Sequence, residues 1–128
     1  MPARIDPAAL PPPVRTRVSR WRTRRVEVAD ASMAPTLRPG DRLLVDRGAY
    51  RTTPPEIGDI VVLVDPERQD RWLIKRVLAI DPGAGTVEVR GDAREVARDS
   101  RQFGAVPLRS VIGRAFRRYH PPERIGDL

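Results

Sequence analysis

The chain contains no cysteine among its 128 residues. Neither disulfides nor cysteine-ligated metal can therefore hold the fold, which suits a reducing compartment. Long apolar runs are missing too. The longest aliphatic stretch, Ile60–Val64, has the length of a strand, whereas a membrane-spanning helix needs about 20 apolar residues. The start of the chain has no apolar segment of the secretory kind and is broken by Pro2, Pro7 and Pro11–Pro13. A cytoplasmic protein is the expectation. Histidine occurs once, as His120 before Pro121, which argues against a Ser-His-Asp triad. Lysine also occurs once, at Lys75, against 23 arginines.

What is abundant is positive charge, unevenly placed. Residues 1–25 carry seven arginines against Asp6 alone, so they hold +6 of the net +7 and leave +1 for the rest. Such an arm could make weak contact with acidic surfaces such as lipid, nucleic acid or an acidic partner. Its one aromatic is Trp21, which gives little support to stacking on single strands. The arm is rich in proline and arginine and almost without apolar pattern, so residues 1–25 are expected to be disordered.

From Val26 the pattern changes. Short runs rich in Val, Ile and Leu alternate with Gly/Pro turns: Val26–Ala29, Leu43–Asp46 after Pro39-Gly40-Asp41, Ile60–Val64 after Gly58-Asp59, and Trp72–Ile80. Thr86–Arg90 is expected as the hairpin partner of that fourth run, and Val111–Phe116 as the last strand. No stretch repeats apolar residues at helical spacing. The fold class predicted is mostly β, with a catalytic domain over residues 26–118 and a C-terminal tail over 119–128.

The lone lysine stands out chemically. Arginine replaces lysine wherever a surface cation suffices, but not where the side chain must lose its proton. Lys75 lies in the apolar run Trp72-Leu73-Ile74-Lys75-Arg76-Val77-Leu78, where burial would lower its pKa toward that of a general base. Which face of that run is buried is left open by its periodicity. Of the four serines, Ser32 follows a strand and stands in Ala31-Ser32-Met33-Ala34-Pro35, an exposed, restricted turn. A serine hydroxyl becomes nucleophilic when a base takes its proton. A Ser-Lys dyad needs only what this chain has; the alternative is that Ser32 simply caps a turn.

These residues, in this order, resemble the signal peptidase I family. Ser32-Met33-Ala34-Pro35-Thr36-Leu37 with Gly40-Asp41 is similar to its nucleophile box, and Gly58-Asp59-Ile60-Val61-Val62 to its next core strand. Lys75-Arg76-Val77 is similar to its lysine box, Gly91-Asp92 with Asp99-Ser100-Arg101 and Gly104 to its last box, and Val111–Ala115 to its closing strand. The resemblance covers roughly residues 26–118 and implies a β-rich serine endopeptidase without cofactor or metal. In it Ser32 is the nucleophile, Lys75 the general base, and the Ser32 N–H part of the oxyanion hole. Asp99 and Arg101 form a structural ion pair, Asp92 holds its loop, and Met33 packs under the nucleophile turn.

Three positions depart from the family pattern. Asp30 stands where relatives often carry serine or glycine, so either it points away or the oxyanion hole is weaker. Ala97 stands where a serine commonly orients the lysine. The turn Asp81-Pro82-Gly83-Ala84 has one extra residue. The short form without a membrane span resembles the soluble branch of nickel-type superoxide dismutase maturation proteases. That implies a precursor protein as substrate, the nickel superoxide dismutase precursor, trimmed of an N-terminal extension. The alternatives are a general signal peptidase-like protease without its own anchor and a non-catalytic basic binding module. A self-cleaving repressor-type domain would need a helix-turn-helix upstream, for which the proline-broken arm is too short.

Overall fold

A computed structural model describes residues 22–128. Residues 1–21, and with them most of the basic arm, lie outside the described residues. Eight strands follow one another: β1 (Thr23–Glu27), β2 (Arg42–Asp46), β3 (Ile60–Asp65), β4 (Arg68–Asp81), β5 (Thr86–Arg90), β6 (Val106–Pro107), β7 (Val111–His120) and β8 (Gly126–Asp127). One short helix, α1 (Ser100–Phe103), precedes β6. All the strands join one antiparallel sheet in the order β1-β2-β7-β3-β4-β5-β6, with β8 paired to β7. The mostly β expectation holds.

Central β3 is buried on both faces, so it reads as an unbroken aliphatic run rather than an alternating one. Ile60 and Val62 join a core with Val28, Met33, Leu37, Leu43, Val45 and Ala115. Val61 and Leu63 face a second core with Leu73, Val77, Val87, Val89 and Val106. Strand β4 has one buried face, Leu73, Lys75 and Val77, while Trp72, Ile74 and Arg76 on the other face are half-buried. This settles what periodicity left open: Lys75 faces inward, opposite Val61 in the β3–β4 register.

Two boundaries need correction. Thr23–Arg25, assigned to the arm, are part of β1, because their backbones pair with Leu44–Asp46 of β2. Their guanidiniums find aromatic faces, Arg24 over Trp72 at 5.0 Å and Arg25 over Tyr119 at 5.8 Å. Val28 and Ala29, expected within that strand, lie past its end. Residues 119–128 are not a loose tail either. Strand β7 runs to His120, a 3-10 turn follows at Pro122–Arg124, and β8 pairs with Arg117 and Arg118. The Leu128 N–H donates to Phe116 O at 3.0 Å, and the side chain packs on the first core. Among the described residues no helix is long and apolar enough to cross a membrane.

Candidate active site

Leaving β1, the chain turns at Asp30–Leu37, and this turn is held from several sides. The Val28 N–H donates to Asp41 O at 2.8 Å and the Gly40 N–H to Val28 O at 2.9 Å. Met33 and Leu37 drop into the core, so the loop is anchored by buried apolar surface and cannot swing freely. The Ala34 N–H returns to Ala31 O at 3.0 Å, and the Leu37 N–H to Met33 O at 2.9 Å. At the centre stands Ser32, 7% exposed.

The segment after β5 locks the turn from the other side. The Ala93 N–H donates to Ser32 O at 2.9 Å, and the Thr36 hydroxyl to Asp92 at 2.7 Å. Asp92 also takes a two-point bond from Arg76 of β4 at 2.8 and 2.9 Å, which ties the Ser32 turn to the lysine strand. Backbone approaches backbone closely here: a Cβ on Gly91 would sit 2.6 Å from Ser32 O and collide with the Ala97 methyl. Asp99, fully buried, accepts from Gly91 N at 2.8 Å and from Arg101 N, Nε and Nη2 at 2.9–3.0 Å, while also capping α1. Burial alone would raise its pKa, but the Arg101 guanidinium and the two N–H donors bring it down to about 2. The Asp99–Arg101 pair implied by the resemblance is thus present at 2.9 Å.

Ser32 and Lys75 line one cleft of about 130 Å³, walled by Val26–Asp30 and Met33 on one side and Trp72–Ile74 on the other. The expected dyad residues, 43 positions apart in the sequence, therefore share one concavity. Lys75 is 2% exposed. Burial holds its amine below the ordinary lysine value, opposed by the negative charges of Asp30 and Asp99 and reinforced by the positive charges of Arg98 and Arg71. Arg71 and Arg98 both pair with Asp65, and Arg98 also with Glu67.

Asp30 does not point away. Its Oδ1 accepts the Ser32 N–H at 2.9 Å. Burial pushes the Asp30 carboxyl up, but the Ser32 N–H, the neighbouring Ser32 hydroxyl and the charges of Lys75 and Arg71 hold it below the usual carboxylate value. Ala97 is buried and offers only a methyl, with its N–H bonded to Ala93 O at 3.0 Å.

Sequence reasoning missed the residues that clamp the turn from the C-terminal side. Buried Asp41 accepts the Arg38 N–H at 2.9 Å and the Arg124 guanidinium at 2.9 and 3.1 Å, with Arg118 at 3.4 Å. Arg118 also reaches Thr36 O at 2.8 Å. Two arginines among 23 carry no mark of their own. Among the described residues no cluster of His, Asp and Glu could hold a metal ion.

A serine turn and a buried lysine on one cleft are the parts that a serine hydrolase of the Ser-Lys kind requires. Residues 15–90 match the signal peptidase, peptidase S26, family. A probable signal peptidase I-1 of Synechocystis is 31% identical over 76% of this chain and 71% of its own length. An Arabidopsis thaliana mitochondrial ATP-independent inner membrane protease subunit 1b is 38% identical over 76% of this chain and 70% of its own. Signal peptidase I of Leptolyngbya laminosa is 31% identical over 79% of this chain and 70% of its own. The chain belongs to the signal peptidase I-like family of serine endopeptidases.

Proposed function

We propose that the chain cleaves an N-terminal extension from a precursor protein, with Ser32 as nucleophile and Lys75 as general base. The shared cleft of Ser32 and the inward-facing Lys75 carries this reading. The neutral Lys75 amine takes the Ser32 hydroxyl proton as Oγ attacks the scissile carbonyl. The tetrahedral oxyanion collapses, the leaving amine departs with the proton held by Lys75, and an acyl-enzyme remains on Ser32. Water, giving its proton to Lys75, then releases the acid and restores the serine. Burial matters to this chemistry because a fully protonated lysine cannot accept the first proton. No cofactor takes part in these steps.

For the substrate, the soluble-branch resemblance favours a nickel superoxide dismutase precursor, processed in the cytoplasm. The readout is mass spectrometry of that precursor after incubation with the wild type and with Ser32→Ala. A precursor shortened by the wild type alone supports both dyad and substrate. An intact dismutase precursor beside a trimmed signal-peptide substrate would favour the more general signal peptidase-type reading, which the named relatives support. Subcellular fractionation checks the location. The basic-module reading is weakened by the engagement of Arg24 and Arg25 with aromatic rings of the sheet.

A further inference from the structure

The turn that presents Ser32 has its backbone hydrogen committed to one side chain. The N–H of Ser32 donates to Asp30 Oδ1 at 2.9 Å. In an acyl-transfer reaction that N–H is worth most when it faces the oxygen on which negative charge develops. Here an anion sits where the developing oxyanion would need a donor. Two like charges cannot share one donor, so an ionised Asp30 and an oxyanion on the Ser32 N–H exclude each other.

The same carboxylate lines the cleft with the base. The charged groups around Lys75 are Asp30 beside the nucleophile, Asp99 after β5, Arg98 before it, and Arg71 on β4; those around Asp30 are Lys75 and Arg71. Glu27 lines the cleft further along β1. Asp99 is saturated by Arg101 and backbone N–H groups. Asp30 is therefore the carboxylate whose removal changes the field at the amine without dismantling the frame of the site.

Building on the assignment of Ser32 and Lys75 as the dyad, we propose that Asp30 is a restraining residue. Its carboxylate occupies the Ser32 N–H and shares the cleft with Lys75, so the resting enzyme is held back until a bound substrate displaces it. Substrates that fill the cleft have binding energy to spend on that displacement, and short peptides have little. The restraint thus selects for a precursor that engages the whole cleft.

The experiment compares wild type with Asp30→Asn and Asp30→Ser, all shown to be folded by thermal melting. Asparagine keeps an acceptor for the Ser32 N–H and the shape of the turn but removes the charge. Serine removes the charge and adds a donor. Steady-state cleavage of a short peptide from the precursor is expected to rise in kcat/KM by about tenfold for Asp30→Ser, a tenth of the smaller effects seen for one oxyanion donor, with Asp30→Asn between it and wild type. A peptide aldehyde that forms a tetrahedral adduct on Ser32 should bind both variants more tightly than wild type. The acidic limb of the pH profile should move to lower pH in both, a change that a purely structural turn residue would not produce. Because the chain has one lysine, 15N-lysine labelling gives a single side-chain Nζ signal, and its titration midpoint should fall in both variants whether or not any substrate is cut. Loss of kcat/KM in a folded Asp30→Asn with an unmoved limb would overturn the proposal and leave Asp30 as a turn-building residue. An unmoved Nζ midpoint would overturn it equally. If neither wild type nor either variant cuts the peptide or the precursor and the aldehyde forms no adduct on Ser32, the dyad assignment itself fails, while the Nζ midpoint still reads the effect of Asp30 on Lys75.

Discussion

Lys75 carries the sharpest consequences at the scale of single residues. Lys75→Ala and Ser32→Ala should each lower turnover by at least about a thousandfold with the fold intact, as the loss of one member of a catalytic unit does. Lys75→Arg should be nearly as damaging, because guanidinium keeps its proton, and it should also lower the melting temperature by placing a larger permanent cation in a buried site. Circular dichroism melts beside a peptide assay separate the two effects. Asp99 gives a pH signature. Its folded-state pKa is depressed, to about 2, so its contribution is full above the unfolded value near 4 and fades as pH falls through about 2, amounting to about 2 kcal/mol. Asp99→Asn should destabilise the fold by about 3 kcal/mol at neutral pH, with the gap from wild type closing below about pH 4 in denaturant titrations. Ser32 and Lys75 were legible in the sequence through rarity and context: one lysine in an arginine-rich chain, and one serine in a Pro-restricted turn after a strand. Asp30 was legible as a departure, but its direction was not, since only the folded turn fixes where a short carboxylate points.

At the scale of elements, strands show in the sequence where they are buried and fade where they are exposed. Strand β3, covered on both faces, and β5, alternating cleanly, were readable to within a residue. Strand β4 begins at Arg68, four residues before its first apolar side chain, because Arg68–Arg71 are exposed and held by the hairpin with β3 rather than by a core. Strand β1 has one apolar residue, Val26, so only its pairing with β2 reveals its extent. The junction after β5 makes a test at this scale. Gly91→Ala would press a methyl onto Ser32 O and Ala97. It should destabilise the protein by about 1–3 kcal/mol and shift the nucleophile turn. Chemical denaturation reads the first effect. The second appears as a kcat loss larger than the stability change explains at temperatures where the variant is folded.

At the scale of the molecule, the site depends on chain segments that the motif pattern leaves out. The Ser32 turn is clamped by Asp41, and Asp41 by Arg118 and Arg124, from β7 and the turn beyond it. Arg124→Ala should leave Asp41 buried with its weaker partner at 3.4 Å. The expected loss is about 1–3 kcal/mol, with Asp41→Ala and the double variant showing coupling of at least about 0.5 kcal/mol in a double-mutant cycle. Nothing in the sequence marked this closure. The apolar pattern ends before Pro121, and a charged partner that lies far off in the chain leaves no periodic trace.

That closure has a consequence in time. Arg124 meets Asp41 across 83 positions of chain, and a contact so distant forms only when both partners have emerged and the loop between them has closed. While the chain is still being made, its serine turn exists before the arginine that clamps it. The nascent polypeptide therefore lacks the clamp on its Ser32 turn until residue 124 has emerged from the ribosome, and the turn is completed only as the whole chain folds.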